Sequence, residues 1–215
     1  VKQIALKKKL KCINELHQSK GILLDIGAGT GDFLAVAQQN GWQTIGIEPN
    51  DKAKKIAQNK GVELIEATSL LTDHSIDVIT MWHVLEHVPN VKNQIKELKR
   101  LLKPNGSIII AVPNFNAYDA KYYDSFWAAF DVPRRLWHFS KKSIQSLFER
   151  ENFHLEKTLP MLFDAFYVAL LSEKYKTGNM NFIKATFIGM KSNWKAKSTG
   201  EYSSLIYILK NNQVN

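Results

Sequence analysis

The segment GAGTG, from Gly27 to Gly31, is a glycine-rich turn that follows an apolar run at 22–26. Such a turn between a strand and a helix lets the backbone approach a ligand closely, because glycine carries no side chain. Its spacing is G-x-G-x-G, so Asp32 falls where a dinucleotide-binding fingerprint has its third glycine. A carboxylate at this position repels pyrophosphate, so the turn predicts a cationic or zwitterionic ligand rather than NAD.

Two carboxylates stand on the first two predicted strands, near the edge where parallel strands collect ligand-binding residues. Asp25 lies in a buried run, where an ionised side chain is costly unless a partner such as a cationic ligand group is present. Glu48 follows the apolar run 44–47, and its two oxygens can accept hydrogen bonds from both hydroxyls of a ribose. Together with the glycine turn, Glu48 predicts a ligand that contains adenosine.

Three histidines are candidates for removing a proton from an acceptor, since histidine is the usual general base near neutral pH. His83 stands just after the predicted strand 76–81, His87 follows one helical turn later, and His138 belongs to the stretch RRLWHF. The alternative for each is a structural histidine held by hydrogen bonds. We take His83 as the first candidate because it lies at the strand end.

The stretch around His138 could also contact an acceptor through its other residues. Arg134 and Arg135 could clamp an acidic acceptor in a bidentate manner, or they could pair with acids such as Asp131. The aromatic residues between Tyr118 and Trp137 could line a pocket or simply pack an inserted lid. The sequence leaves both pairs of alternatives open.

Strands and helices alternate along the first half of the chain, which predicts parallel strand–helix–strand units in a doubly wound α/β sheet. We expect strands at 22–26, 44–47, 62–65, 76–81 and 107–112, and later strands at 154–159 and 202–209. We expect helices at 2–18 and 32–39, from a cap at Asn50 or Asp51 to Asn59, at 91–102, and from a cap at Ser140 to Glu149. Residues 113–139 are irregular, and 161–200 should contain two helices.

Four segments in order, LLDIGAGTGDF, GIEPN, DVITMWHVLEHV and LLKPNGSIIIAVPN, resemble the successive motifs of class I S-adenosylmethionine-dependent methyltransferases. The sequence is most similar to the branch that contains the ubiquinone-biosynthesis O-methyltransferases. The resemblance covers about residues 20–114 and implies a Rossmann-like, mostly parallel sheet of seven strands with the last one antiparallel. We therefore expect one domain over 1–215, with an N-terminal helix (1–20), a cofactor-binding core (21–114) and acceptor-side insertions (115–139 and 161–200).

The resemblance also implies a role for each matching position, with S-adenosyl-L-methionine as cofactor and S-adenosyl-L-homocysteine as product. Glu48 would take the ribose hydroxyls, Asp25 would orient the methionine moiety, and His83 would lie beside the transferred methyl group. The full set of implied cofactor-binding residues is Asp25, Gly27, Ala28, Gly29, Gly31, Glu48, Pro49, Asn50, Thr68, Ser69, Trp82 and His83. Many relatives carry an acidic residue that bonds the adenine amino group, whereas this chain has Glu66-Ala67-Thr68 at that place.

Some relatives hold a divalent metal through a Glu-x-x-Glu-His pattern, which is replaced here by His83-x-x-Glu86-His87. Because magnesium prefers oxygen ligands, we expect no metal. We expect methyl transfer to an oxygen of a small-molecule acceptor. The alternatives are an RNA methyltransferase, for which no recognisable RNA-binding module is present, and a non-catalytic cofactor-binding protein.

The composition indicates which partners and which cellular compartment to expect. The net charge of +9 is spread along the chain, so nucleic acid is not an expected partner. Cys12 is the single cysteine, and we expect a reducing, cytoplasmic compartment. Residues 181–191 combine apolar side chains with lysines and could rest on an anionic membrane, pack on the protein or form a dimer contact. We expect packing on the protein. The sequence does not indicate an oligomeric state.

Overall fold

The computed structural model describes residues 2–212, and its central element is a six-stranded sheet. The strands are β1 (Ile22–Ile26), β2 (Gln43–Ile47), β3 (Ile76–Trp82), β4 (Leu102–Pro113), β5 (Phe153–Pro160) and β6 (Ser204–Asn211). Their order in the sheet is β2-β1-β3-β4-β6-β5. Strands β1 to β4 pair in parallel, and β6 runs antiparallel to both of its neighbours. The predicted doubly wound fold is therefore confirmed.

The predicted strand at 62–65 is wrong, and the sheet has six strands rather than seven. Leu64 forms only an isolated parallel bridge with Gly46, through the hydrogen bonds Gly46 N to Glu63 O and Ile65 N to Gly46 O, both 2.9 Å. After this bridge the chain continues as a loop, in which Arg100 donates hydrogen bonds to the carbonyl oxygens of Thr68 and Leu71.

Eight α-helices are present in residues 2–212, and most of them cover the two faces of the sheet. They are α1 (Lys2–Leu16), α2 (Asp32–Gln39), α3 (Asp51–Gln58), α4 (Val91–Leu101), α5 (Tyr118–Tyr123), α6 (Lys141–Glu149), α7 (Asp164–Thr177) and α8 (Phe182–Thr199). One face packs against α4 and α6, and the other packs against α1, α2 and α3. The predicted caps are present: Asn50 accepts from Ala53 N, and Ser140 accepts from Ser143 N.

The two insertions form a small core of their own from α5, α7, α8 and the segment that follows α5. Its centre is the fully buried carboxylate of Asp119, which accepts hydrogen bonds from Trp127 Nε1 (2.8 Å), Ser192 Oγ (2.6 Å) and Ser203 Oγ (2.7 Å). Since Ser203 directly precedes β6, this carboxylate ties the insertions to the sheet. Tyr123 and Trp127 are buried in this core, so these two aromatic residues pack the insertion.

Within the described part of the chain, none of the helices is both long and apolar enough to cross a bilayer.

Candidate cofactor and acceptor sites

The glycine turn lies over the end of β2, where backbone hydrogen bonds hold it. The amides of Gly27 and Ala28 both donate to Ile47 O, at 2.8 and 2.9 Å. Gly27, Gly29 and Gly31 have φ values of 77°, 55° and 71°, in the left-handed region that favours glycine. The turn can therefore reverse the chain between β1 and α2 within a few residues.

Two of these glycines serve packing, and the third leaves room for a ligand. A Cβ atom on Gly27 would lie 2.4 Å from Val84 Cγ2, and one on Gly31 would lie 2.8 Å from Ala57 Cβ. By contrast, no atom of residues 2–212 comes within 4 Å of a Cβ built on Gly29. The backbone at Gly29 therefore faces open space at the carboxyl edge of the sheet.

The carboxylate of Glu48 is fixed beside this open space by two backbone amides. Gly29 N donates to Glu48 Oε2 at 2.8 Å, and Asn50 N donates to Glu48 Oε1 at 2.9 Å. Because a carboxylate offers about four acceptor positions, Glu48 can still accept two further hydrogen bonds. The Asn50 side chain caps α3 instead, while Pro49 is exposed at the rim.

Asp25 is buried at 2% exposure on β1 and accepts a hydrogen bond of 2.6 Å from Thr80 Oγ1. Burial raises the pKa of its carboxyl to about 6, against the hydrogen bond from Thr80 and the attraction of Lys9. A nearby cation would stabilise the ionised form of a carboxyl that is buried in this way, as expected for a group that binds a positively charged ligand atom.

Lys9, on α1, is a site residue that the sequence analysis missed. Its ammonium lies 4.3 Å from the ring centroid of Trp82 and 5.7 Å from that of Phe33. Burial lowers the pKa of Lys9, although the charges of Asp25 and Asp164 attract the ammonium form. Lys9 shares the stripe of Leu6 and Ile13, three and four residues away, and this helical spacing could have revealed it.

Asp32 is paired in the structure, which weakens one argument made from the sequence. Lys60 Nζ lies 2.9 Å from Asp32 Oδ1, and Thr30 Oγ1 donates to Asp32 Oδ2 at 2.6 Å. The ion pair offsets much of the repulsion that a lone carboxylate would exert on a phosphate. A carboxylate such as Glu48 suits the ribose of NAD as well as that of S-adenosylmethionine, so the buried Asp25 and the G-x-G-x-G spacing are the features that disfavour a dinucleotide.

The rim opposite the glycine turn is a 3₁₀ turn at Thr68–Leu70 that follows the bridge between Gly46 and Leu64. Since β2 ends at Ile47, this bridge brings Thr68 and Ser69 toward the edge that carries Glu48. Ser69 is exposed and Thr68 is partly buried.

His83 follows β3 with a positive φ of 57° and lies between two carboxylates. Its Nε2 is 3.0 Å from Asp164 Oδ2, and its Nδ1 is 3.5 Å from Glu86 Oε1. Burial alone would lower the pKa of the imidazole, but the close contacts with the carboxylates of Asp164 and Glu86 outweigh it and raise the pKa to about 9. At neutral pH His83 is therefore an imidazolium cation.

A cavity of about 460 Å³ opens beside His83 between the sheet edge and α7. Its charged and phenolic lining comes from Asp131, Arg134, Arg135, Asp164, Tyr167 and Tyr175, and Val168 and Leu171 add apolar surface. Asp164, Tyr167 and Tyr175 are lining residues that sequence reasoning missed, because they lie far along the chain and follow no recognisable motif.

The two other candidate histidines do not reach this cavity. Among the described residues its lining includes His83 but neither His87 nor His138. His87 Nδ1 lies 2.7 Å from Arg134 O, and His138 Nε2 lies 3.1 Å from Phe130 O. These contacts hold the loop around Arg134 in place and favour the structural alternative for both residues.

The two arginines of this loop have partners within the protein. Arg134 Nη2 lies 2.8 Å from Asp131 Oδ1, and Arg135 Nε lies 3.7 Å from Glu86 Oε1. This geometry favours the pairing alternative over a free bidentate clamp. Over residues 2–212, no group of three or more His, Cys, Asp or Glu side chains is arranged to hold a metal ion.

A family model described as a methyltransferase domain matches residues 3–158. An uncharacterized protein of Methanocaldococcus jannaschii is 31% identical over 125 residues, which are 57% of this chain and 58% of that protein. A ubiquinone biosynthesis O-methyltransferase of Nitrosospira multiformis is 31% identical over 104 residues, 44% of either chain. This chain thus spans about half the length of these curated relatives.

Solved structures share the whole fold at low sequence identity. An S-adenosylmethionine-dependent methyltransferase from Thermotoga maritima superposes with a TM-score of 0.67 at 20% identity, over 98% of this chain and 90% of that one. Phosphoethanolamine N-methyltransferase 2 of Haemonchus contortus, solved with S-adenosyl-L-methionine, gives a TM-score of 0.63 at 17% identity, over 96% of this chain and 53% of that one. At these identities the likeness concerns the fold alone.

Proposed function

Since this chain belongs to the methyltransferase domain family, whose cofactor is S-adenosylmethionine, we propose that it methylates a small-molecule acceptor and releases S-adenosylhomocysteine. The resemblance to class I methyltransferases predicted from the four motifs is confirmed. One observation carries the proposal: the Glu48 carboxylate is held by two backbone amides beside the open space at Gly29. This arrangement suits a ribose diol next to a bare backbone.

The residues at the carboxyl edge of the sheet fit the cofactor part by part. Glu48 would accept from the ribose hydroxyls, and the turn at Thr68–Leu70 would border the adenine. Asp25 would take the positively charged amino group, which accounts for keeping a carboxyl with a pKa of about 6 inside the sheet. When bound, S-adenosylmethionine supplies a methyl group already activated by its positively charged sulfur.

The cavity beside His83 is where we place the acceptor. His83 directly follows Trp82, the last residue of β3, so the cavity adjoins the side chains that flank the proposed cofactor site. Val168, Leu171, Tyr167 and Tyr175 line the cavity and would exclude water and orient the acceptor. Orientation and exclusion of water are the main contributions that an enzyme makes when the methyl group is already activated.

We propose oxygen as the acceptor atom, with Nε2 of His83 receiving its proton. The support is the similarity to ubiquinone biosynthesis O-methyltransferases together with the position of His83. Because His83 Nδ1 is buried against Glu86, the acceptor oxygen would approach Nε2 and displace Asp164 Oδ2 from its 3.0 Å contact there, and Glu86 would stabilise the imidazolium formed by the transfer. Because the free enzyme already holds His83 as a cation near neutral pH, the base form is a minor one there and grows with pH.

Production of S-adenosylhomocysteine from S-adenosylmethionine over a panel of acceptors tests this function. The panel should contain phenols and catechols, small carboxylic acids, amines and an RNA mixture, with Glu48→Ala as the matched variant that loses the proposed ribose contact. We expect turnover with a hydroxyl-bearing small molecule and much less with Glu48→Ala. Turnover with RNA alone, or cofactor binding without turnover on any acceptor, would contradict the proposal.

A cytoplasmic location stays a prediction that rests on the single cysteine, Cys12.

A further inference from the structure

Helix α8 exposes a row of four large apolar side chains along its outer side. The exposed fractions are 86% for Ile183, 63% for Phe187, 60% for Met190 and 69% for Trp194. Their spacing of four, three and four residues places them on one stripe of a helix that turns about 100° per residue. We call these four residues the outer face of α8.

The opposite side of α8 is already packed, so the outer face cannot turn inward. Ala185, Ile188, Gly189, Ser192 and Ala196 are buried against the rest of the insertion. A Cβ on Gly189 would lie 2.7 Å from Phe166 Cδ1, which shows how closely α7 and α8 approach there. The expectation that 181–191 packs on the protein therefore describes only the inner half of this helix.

Further exposed apolar residues extend the outer face. Asn193 Nδ2 donates to Leu162 O at 2.9 Å, which fixes the turn before α7 beside α8. Leu162 and Phe163 in that turn are 41% and 49% exposed. Phe182, at the start of α8, is 65% exposed. Contiguous exposed apolar surface of this kind marks an interaction site more often than scattered single residues do.

The charged residues in the segment that contains the outer face are all lysines. Residues 174–200 contain six lysines and no acidic residue. Lys191 and Lys195 lie beside the outer face, with their ammonium groups 5.3 and 4.2 Å from the ring centroid of Tyr118. From α1, Lys8 Nζ lies 5.1 Å from the ring centroid of Phe163. Lys184 has an acidic partner, Glu173 Oε1 at 3.1 Å.

We propose that the outer face of α8 and the lysines around it dock on the surface of an anionic lipid bilayer. A fixed helix with large apolar residues on one stripe and lysines beside it can place the apolar stripe among acyl chains and the lysines among lipid phosphates. A second copy of the chain fits less well, because a two-fold contact would set the same lysine-rich surface against itself. This docking is independent of the proposed methyl transfer.

Flotation with lipid vesicles tests the proposal on the full chain. We expect the protein to float with vesicles of phosphatidylcholine and phosphatidylglycerol and to bind pure phosphatidylcholine at least tenfold more weakly, since each lysine near an anionic surface contributes about fivefold. The triple variant Ile183→Ser, Phe187→Ser, Trp194→Ser should lose at least tenfold in binding to anionic vesicles. Ile56→Ser, an apolar residue 45% exposed on α3, is the matched control and should bind like the unmodified protein.

Two further measurements keep the result interpretable. Thermal unfolding of the triple variant should match that of the unmodified protein, because the three side chains are mostly exposed. The difference in tryptophan fluorescence between the unmodified protein and Trp194→Phe gives the emission of Trp194. Brominated lipid should quench this emission, and that quenching would locate the membrane contact on α8. Absence of flotation with anionic vesicles, equal binding by the triple variant, or a dimer that the triple variant abolishes without any vesicle binding would each overturn the proposal.

Discussion

Replacing Asp164 by asparagine should make His83 much less basic. Asp164 Oδ2 lies 3.0 Å from His83 Nε2, whereas Glu86 Oε1 lies 3.5 Å from Nδ1, so we assign Asp164 the larger share of the raised pKa. Together they raise the pKa of His83 to about 9. Since an opposite charge at this distance changes a pKa by about 1 to 3, we expect His83 to titrate at about 6 to 8 in Asp164→Asn.

The sign of the accompanying stability change follows from the same pKa. Protonated His83 stabilises the folded state below the unfolded pKa of about 6.5, and this contribution is lost as the pH rises through about 9. Between these values the free energy of unfolding of the unmodified protein should fall by about 1 to 4 kcal/mol more than that of Asp164→Asn, because the two folded-state pKa values of His83 differ by about 1 to 3.

The assay is an NMR titration of the histidine ring protons, with the His83 signal assigned by its loss in His83→Asn. Asp131→Asn is the matched control, because Asp131 lines the same cavity but pairs with Arg134. The control should leave the pKa of His83 near 9. An unmodified His83 that titrates at about 6.5, or an unchanged pKa in Asp164→Asn, would refute the reasoning.

Four other outcomes follow from the site. Asp25→Asn should raise the free energy of unfolding of the ligand-free protein by about 1 to 3 kcal/mol at pH 7, because a buried carboxyl with a pKa raised to about 6 destabilises the fold above that pH. Denaturant unfolding measures this effect. The same variant should bind S-adenosylmethionine more weakly, which calorimetry measures. Glu48→Ala should weaken that binding at least tenfold in the same calorimetric assay, since two charge-assisted hydrogen bonds are lost. Gly29→Val should block the site and cost about 1 to 2 kcal/mol of stability, because its φ of 55° is unfavourable for valine; unchanged binding would show that this backbone does not face the ligand. If His83 is the base, the rate with an oxygen acceptor should rise about tenfold per pH unit toward pH 9, and a flat profile would count against that role.

The position of Glu48 beside the glycine turn was predictable because its signals are local. A glycine turn and a carboxylate at the end of β2 are read from a few consecutive residues, and Glu48 lies where that pattern places it. The segment 62–65 has the composition of a strand, but only Leu64 pairs with a neighbouring strand, and no local pattern reveals how far pairing extends.

The acceptor side was less predictable because its contacts join distant parts of the chain. Asp164 lies 81 positions after His83 in the sequence, so no local pattern predicts their contact. His83 meets two carboxylates whereas His87 and His138 meet backbone carbonyl oxygens, and the sequence around the three residues does not reveal this difference. Lys9 stood in the sequence as one lysine among many near the N terminus. Its place in the site follows from the docking of α1 beside Trp82.

Calorimetric titration of the unmodified protein with S-adenosylmethionine, S-adenosylhomocysteine and NAD tests the central claim most directly. The claim is that Glu48 and the glycine turn bind an adenosine joined to an amino acid. We expect saturable binding of both sulfur-containing ligands and none of NAD. Binding of NAD without binding of S-adenosylmethionine, or no binding of any of the three, would contradict it.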